Sequence, residues 1–224
     1  MYAEFLKRFF DFWLALIALI VLSPILLVLT FIGAIAMKGN PFFTQKRPGK
    51  SERIFRLIKF RTMTNEKNEY GEFLPDEKRL IPYGNFLRRT SLDELPEILN
   101  IVKGDLAIVG PRPLLVKYIP LYNEEQHHRH DVRPGLTGYA QVHGRNMITW
   151  EEKFKLDVEY VRNITFWGDV KIILGTVKAV LKCEGISHEG NATMEEFFGT
   201  QESAAMTDAA DMSTAIIEES RDCK

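Results

Sequence analysis

Residues Phe12 to Met37 read FWLALIALIVLSPILLVLTFIGAIAM, an almost wholly apolar run with Ser23-Pro24 near its centre. About 20 apolar residues suffice to cross a bilayer, so this segment belongs in a membrane and the rest folds as an attached domain. Proline removes a backbone donor and clashes with the preceding turn, so a kink or break is expected at Pro24. Ser23 stands where it can satisfy a backbone group that the break frees. Both flanks are basic, with Lys7 and Arg8 before and Lys38, Lys46 and Arg47 after. The positive-inside rule therefore does not force the two ends onto opposite sides. Two arrangements fit these residues. One is a re-entrant helix-break-helix that enters and leaves by the cytoplasmic face. The other is a kinked transmembrane helix with its N-terminus outside, favoured by the denser Lys and Arg on the C-terminal side. Ala34-Ile35-Ala36 mimics a signal cleavage site, but the stretch is too long for a signal h-region and carries a central proline. In both anchored readings the globular part is cytoplasmic.

The 224 residues leave one domain after the anchor. Lys and Arg number 29 against 30 Asp and Glu, a net charge of −1, which argues against bulk nucleic-acid binding. Cys183 and Cys223 are widely separated and imply neither a metal spacing nor a disulfide framework, which suits a reducing cytosol. No internal repeat is visible.

From Lys38 to Arg61 the cations Lys38, Lys46, Arg47, Lys50, Arg53, Arg56, Lys59 and Arg61 face Glu52 alone. Such a stretch serves attraction to anionic lipid, about 1 kcal/mol per cation near the surface, or recognition of a phosphorylated substrate. Ile54 to Arg61 roughly alternates and reads as a strand. Residues 64–78, with Gly71 and Pro75, read as a loop. Trp150 to Arg162 reads as a helix with Phe154, Val158 and Val161 on one side. Ile164 to Lys182 reads as a second, whose Phe166 and Trp167 suit either a membrane surface or a core. Beyond Gly199 the chain is small, polar and acidic, and its end reads as disordered. Asn163-Ile164-Thr165 and Asn191-Ala192-Thr193 match the glycosylation pattern, a coincidence in a cytoplasmic domain.

Ser91-Leu92-Asp93-Glu94-Leu95-Pro96 opens a second informative stretch. Ser91-x-x-Glu94 has a capping-box pattern, Leu95, Ile98, Leu99 and Val102 have helical spacing, and Lys103-Gly104 is a helix end. Asp93 and Glu94 then fall in a first turn, where carboxylates are common for purely structural reasons. The same geometry serves chemistry. An ionised aspartate attacks phosphorus without a separate base, and a neighbouring carboxylate can hold magnesium. Arg88 and Arg89 stand just upstream, within reach of phosphate oxygens.

Gly110-Pro111-Arg112-Pro113 sets an arginine between two prolines, on a stiff backbone suited to bidentate phosphate recognition or to a plain turn with a solvated arginine. Residues 114–130 read as a helix interrupted at Pro120. His127, His128 and His130 lack the spacing of common zinc sites and read as a solvated or interface helix end. Arg133 to Asn146 is rich in glycine, and its exposed backbone donors with Arg133 and Arg145 could cradle phosphate or nucleotide.

In order and spacing these segments resemble the monotopic phosphoglycosyl transferases, the bacterial sugar transferase family, and among them its smallest members, which start N-linked glycan assembly. The resemblance runs from about Met1 to Gly199. It is carried by Ser23-Pro24, Phe43-Thr44-Gln45-Lys46-Arg47-Pro48-Gly49, Lys59-Phe60-Arg61-Thr62-Met63 and Ser91 to Pro96. It continues through Gly110 to Leu115, His128 to Gly135 and Gly138 to Asn146.

The resemblance implies an α+β, mainly helical fold. Residues 1–38 form the re-entrant membrane helix, 39–199 a small cytoplasmic catalytic domain with interfacial helices, and 200–224 a tail. It implies transfer of a sugar-1-phosphate from a UDP-sugar to undecaprenyl phosphate at the inner membrane, releasing UMP. The donor expected is UDP-N,N'-diacetylbacillosamine or a related N-acetylated sugar, with UDP-galactose and UDP-glucose users sharing the same motifs. Asp93 matches the nucleophile that forms a phosphosugar-enzyme intermediate, and Glu94 its partner, both associated with Mg2+. Lys59, Arg88 and Arg112 are expected to stabilise phosphate charge, and Arg133, Gln141 and Arg145 to contact nucleotide or phosphate. Membrane lipids are partners. The extension after Gly199 is a mobile tail or an oligomerisation element, which leaves a homodimer open. A non-catalytic membrane scaffold and a phosphohydrolase using the same aspartate are the competing readings.

Overall fold

A 30-residue helix, α1 (Lys7–Ala36), preceded by a single π-helical turn at Tyr2–Leu6, organises the computed structural model, which describes residues 2–144, 148–181 and 196–200. α1 runs without a break through Ser23-Pro24, where a kink or break was expected. Pro24 has no N–H for the Ile20 carbonyl four residues back. The Ser23 hydroxyl donates to that carbonyl instead, at 2.7 Å.

One stripe of α1 is packed along nearly its whole length. Lys7, Asp11, Ala15, Leu29 and Gly33 are buried, and Ala18, Leu19, Leu22 and Leu26 pack between them. These positions recur every three or four residues, the spacing of one helix face. At 1.5 Å per residue, Lys7 to Gly33 covers about 39 Å. The opposite face exposes Phe9, Trp13, Ile17, Ile20, Leu27, Phe31 and Ile35. The attached domain thus lies alongside α1, not beyond one end of it.

β1 (Phe42–Pro48) and β2 (Ile54–Phe60) form an antiparallel hairpin, registered from Phe42 opposite Phe60 to Pro48 opposite Ile54. Phe55 and Leu57 of β2 enter a core with Ala15, Ile98, Ile101 and Leu106, and Phe60 enters another with Leu29 and Leu87. The expected loop at 64–78 is loop-like apart from the start of the short α2 (Asp76–Arg79).

α3 (Pro82–Thr90) was not anticipated, although Pro82 stands at its first turn, where proline is well tolerated. Its presence overturns the capping box. Ser91 ends α3 in the left-handed region, at φ 56° and ψ 19°, and caps nothing with its side chain. A 3-10 turn at Leu92–Glu94 follows, and α4 (Glu97–Lys103) begins only after Pro96.

β3 (Ala107–Val109) and β4 (Gly135–Thr137) form a two-stranded parallel pair. Between them the expected interrupted helix resolves into three short pieces. These are a 3-10 turn at Val116–Leu121 with Pro120 inside, α5 (Glu124–His127) capped by Asn123, and a 3-10 turn at His128–His130. α6 (Tyr139–His143), α7 (Trp150–Arg162) and α8 (Phe166–Leu181) complete the described chain. A Thr149/Glu152 capping box fixes the start of α7. α8 exposes Phe166, Trp167, Leu174 and Val177 while burying Ile172 and Asp169. The fold is mainly helical α+β, with an aromatic cluster of Tyr118, Tyr122, Phe154 and Phe197 behind β1 and α7.

The glycines read as an exposed phosphate cradle do something else. Gly135 and Gly138 are buried against Gly110, and a Cβ on either would overlap the Gly110 backbone. Their smallness lets the β4 segment approach the loop that carries Arg112. Cys183, Cys223, Asn191-Ala192-Thr193 and the tail from 201 lie outside the described residues.

Candidate active site

The turn that replaces the predicted cap presents two adjacent carboxylates. Glu94 Oε1 accepts from Lys59 Nζ at 2.7 Å and from Arg112 Nη2 at 2.5 Å. Lys59 comes from the end of β2, and its Nζ also lies 3.1 Å from Glu97 Oε1 on α4. Asp93, beside them, makes no hydrogen bond or ion pair among the described residues.

The electrostatics separate the three acids. Burial opposes ionisation of Glu94, but Arg112 and Lys59 together overcome it and hold the carboxyl well below its usual range. Asp93 goes the other way. Burial and the neighbouring Glu94 charge raise it, and Lys59, Arg112 and Arg88 offset only part of the rise. Glu97 is pushed up to about 7, by burial first and then by Glu94. A helix N-terminus was expected to keep Asp93 ionised. The dyad instead precedes α4, and the surrounding cations offset only part of the rise at Asp93.

Arg112 is held from behind. Its carbonyl accepts from Arg129 Nη2 at 2.9 Å, and Arg129 pairs with Asp157 at 2.7 Å inside the aromatic cluster. The Gly110 N–H bonds the Thr137 carbonyl, and Tyr160 donates to the Val109 carbonyl. Asp11 of α1 accepts from the Ile108 N–H at 3.2 Å. The apolar helix α1 thus takes part in positioning the strand that leads to Arg112.

Of the residues picked out from sequence, Lys59, Asp93, Glu94 and Arg112 meet in one place. Arg88 belongs with them through its charge, and its Nε donates to Thr62 Oγ1 at 3.0 Å. Arg133 does not join them. Its Nε donates to the Gly104 carbonyl at the end of α4, where Arg8 caps Ile101 and Val102. There it lines a separate cavity of roughly 360 Å³ with Lys50, Arg53 and Asp105. Gln141 turns toward the Leu136 carbonyl, and its Oε1 is buried without a partner. Arg145 lies outside the described residues. His128 is exposed and paired with Asp131, and His127 pairs with Glu52. His130, read as part of a solvated end, is buried, and burial lowers its pKa to about 4.

Sequence reading passed over Arg129 and Asp157. A signal was present. Asp157 sits at the helical spacing of Phe154, Val158 and Val161, so a charge occupied a core position and required a buried partner.

A long apolar helix built into a small α+β domain, with a carboxylate pair ringed by cations, is compatible with a membrane-anchored protein that handles phosphorylated substrates. Comparison with known proteins fixes the family. Residues 2–183 match the family model described as Bacterial sugar transferase, and the chain belongs to that family of phosphoglycosyl transferases. It is 49% identical over 195 residues to the uncharacterized sugar transferase EpsL of Bacillus subtilis (strain 168), covering 87% of this chain and 96% of that one. It is 33% identical over 201 residues to the undecaprenyl-phosphate galactose phosphotransferase of Salmonella typhimurium, covering 82% of this chain. It is 35% identical over 185 residues, 79% of this chain, to a UDP-N-acetylgalactosamine-undecaprenyl-phosphate N-acetylgalactosaminephosphotransferase of Aeromonas hydrophila. Against these last two the chain spans only 42% and 44% of the relative's length.

Proposed function

We propose that this protein transfers a sugar-1-phosphate from a UDP-sugar to undecaprenyl phosphate through a covalent aspartyl intermediate on Asp93. The observation that carries the reading is the unpaired Asp93 carboxylate beside Glu94, which Lys59 and Arg112 hold ionised. A carboxylate nucleophile needs no base, only a neutralised approach to phosphorus. Phosphoryl transfer depends chiefly on positioning and on stabilising charge spread over the equatorial oxygens. Arg112, Lys59 and Arg88 supply positive charge at that position. The bond from Asp93 to the sugar-linked phosphorus forms as the diphosphate bridge breaks. UMP carries away the electron pair. The lipid phosphate then attacks the same phosphorus and frees Asp93.

The donor set suits Mg2+. Glu94 Oε1 is engaged twice, leaving Oε2 and the Asp93 oxygens, and among the described residues no cluster of three or more His, Cys, Asp and Glu offers a fuller cage. Magnesium usually takes one or two carboxylates plus substrate phosphates. Asp93 and Glu94 would hold it, and when bound it neutralises diphosphate charge.

The donor is a UDP-linked N-acetylated sugar, UDP-N,N'-diacetylbacillosamine or a relative of it. UDP-galactose is the competing donor, because galactose and N-acetylgalactosamine both occur in the names of relatives. Domain contacts along about 39 Å of α1 exceed the roughly 30 Å of a hydrocarbon core. That favours a helix entering one leaflet from the cytoplasmic face over one that leaves the domain behind in water.

The test is UMP release by purified protein with a panel of UDP-sugars, with and without undecaprenyl phosphate and Mg2+. Repeated turnover that needs both lipid and metal is expected from one donor, with at most one UMP per enzyme released before lipid is added. Asp93→Asn should lose at least about 10³ in rate while melting near the parent. An Asp93→Asn protein with undiminished transfer would sink the mechanism, and release beyond one UMP per enzyme without lipid would point to a hydrolase.

A further inference from the structure

The cavity that Arg133 lines stands apart from the dyad. It holds roughly 360 Å³ between the tip of the β1–β2 hairpin and the end of α4, and Lys50, Arg53, Arg133 and Asp105 face it. β2 runs from Ile54 at the cavity to Lys59 at the dyad, about 17 Å at the rise of a strand. α4 covers about 10 Å between Glu97 and Gly104. Cations outnumber acids here. Lys50, Arg53 and Arg133 make no ion pair among the described residues, while Asp105 is approached by Lys103 and by the Asn100 amide, each at 3.5 Å. Glu52, the acid of the hairpin tip, pairs with His127 at 2.6 Å. The carbonyl end of α4 explains part of the positive charge, since Arg133 Nε donates to the Gly104 carbonyl and Arg8 to those of Ile101 and Val102. It does not explain Lys50, Arg53 or the two Nη groups of Arg133, which have no protein partner among the described residues. The hairpin tip adds backbone donors. Ser51 and Glu52 are held in the left-handed region, at φ 53° and 60°, which is unfavourable for residues with a Cβ. The Glu52 and Arg53 N–H groups close on the Gly49 and Lys50 carbonyls, and those of Lys50 and Ser51 have no acceptor among the described residues. Free N–H groups beside unpaired cations suit an oxyanion.

We infer that this cavity binds the phosphate of an anionic membrane lipid, at a site separate from the dyad. The inference rests on the reading of α1 as a membrane anchor and not on the transfer chemistry. Lys50 and Arg53 supply charge, Arg133 supplies its spare guanidinium edge, and the hairpin tip supplies N–H donors. The lipid source is argued from what stands beside the cavity. A Cβ on Gly104 would lie 3.0 Å from Arg8 Nη2, so Arg8 forms the α1 side of the cavity wall. From Arg8 onward α1 exposes Phe9, Phe10 and Trp13, and Phe10 lies 5.8 Å from Phe166, next to the exposed Trp167. Aromatic rings and cations at one level belong to a membrane–water interface. A headgroup held there fixes the near ends of β2 and α4, whose far ends carry Lys59 and Glu97 to the dyad.

The experiment titrates full-length protein in neutral detergent with dihexanoyl phosphatidylglycerol, and in parallel with dihexanoyl phosphatidylcholine and with inorganic phosphate. Affinity is read from the rise in melting temperature with ligand. The paired change Lys50→Gln/Arg53→Gln should weaken phosphatidylglycerol at least about 10-fold and leave phosphatidylcholine unchanged. Lys46→Gln/Arg56→Gln removes the same charge from the same hairpin outside the cavity, and should change phosphatidylglycerol less than about 2-fold. Arg133→Gln should weaken it as the first pair does, and if that variant fails to fold the first pair carries the test. Asp93→Asn should bind the lipid like the parent, because the site does not depend on transfer. Equal losses in the two pairs would reduce the effect to diffuse charge and overturn the site, as would unchanged binding in Lys50→Gln/Arg53→Gln. Inorganic phosphate that binds as tightly as the lipid, with the same loss in that pair, would make the ligand a soluble one and overturn the lipid assignment. A parent that stays in solution without detergent and binds neither lipid overturns this site and the anchor reading together.

Discussion

Two arginine–carboxylate pairs lie back to back in this molecule and behave differently. Arg129–Asp157 is closed, with side chains 1% and 3% exposed, and one acid neutralises one base inside an aromatic cage. Glu94–Arg112 is open, 20% and 41% exposed, and Glu94 is shared with Lys59 while Asp93 stands unpaired alongside. They are linked by one hydrogen bond, from Arg129 to the Arg112 carbonyl. The chemistry of the groups is the same. What differs is exposure and sharing, and only the pair that is open to solvent, with an unpaired carboxylate beside it among the described residues, can serve a substrate.

The largest effect expected of this contrast is on stability at the closed pair. Arg129→Met leaves Asp157 buried and uncompensated, which costs about 3–5 kcal/mol. Chemical denaturation should register that loss, and the double variant Arg129→Met/Asp157→Leu should recover much of it. A single variant as stable as the parent would mean that the pair is not closed. At the open pair the effect moves to rate. Arg112→Gln should alter stability by less than about 1 kcal/mol, as for partly exposed pairs. It should lower transfer by about 10²-fold, the scale of one lost charge-stabilising donor. Equal stability losses at Arg112 and Arg129 would erase the distinction.

A smaller effect sharpens it. Glu97 belongs to the open region, and its pKa is raised from 4.5 to about 7, chiefly by burial. The folded protein then holds a proton that the unfolded chain has lost. The stabilisation is complete below about 4.5 and is lost as pH rises through about 7. Glu97→Gln should flatten the melting temperature between pH 5 and 8. Asp157→Asn, at the closed pair, should lower the whole curve instead.

How much of this was legible in sequence depended on whether local pattern or tertiary burial decides. α1, β2, α7 and α8 follow from apolar spacing and were readable, as was the cluster of Lys59, Asp93, Glu94 and Arg112 once the motifs were taken in order. The cap at Ser91 was misread because α3, spelled Pro-Tyr-Gly-Asn-Phe-Leu-Arg-Arg-Thr, has little apolar periodicity and Ser91 was needed to end it. Arg133 and the glycines were placed with the phosphate because charge and small size were visible, whereas their packing on α4 and Gly110 was not. Arg129 escaped notice because only tertiary structure shows where its partner on α7 lies.

The smallest expected effect tests whether the open region holds strain that the closed one lacks. Ser91 occupies the left-handed region directly ahead of the dyad, a conformation costing a residue with a side chain on the order of 1 kcal/mol and costing glycine almost nothing. Ser91→Gly relieves that cost, but the variant's more flexible unfolded chain cancels part of the gain. A net rise of about 0.5 kcal/mol is therefore expected. The same change loosens the turn that fixes Asp93 against Glu94, and small displacements of a nucleophile are expensive in rate. Formation of the phosphosugar-enzyme should slow several-fold while the protein melts slightly higher. A variant that is both more stable and equally fast would show that Ser91 merely ends α3. The orientation of Asp93 would then be fixed wholly by the cations around it.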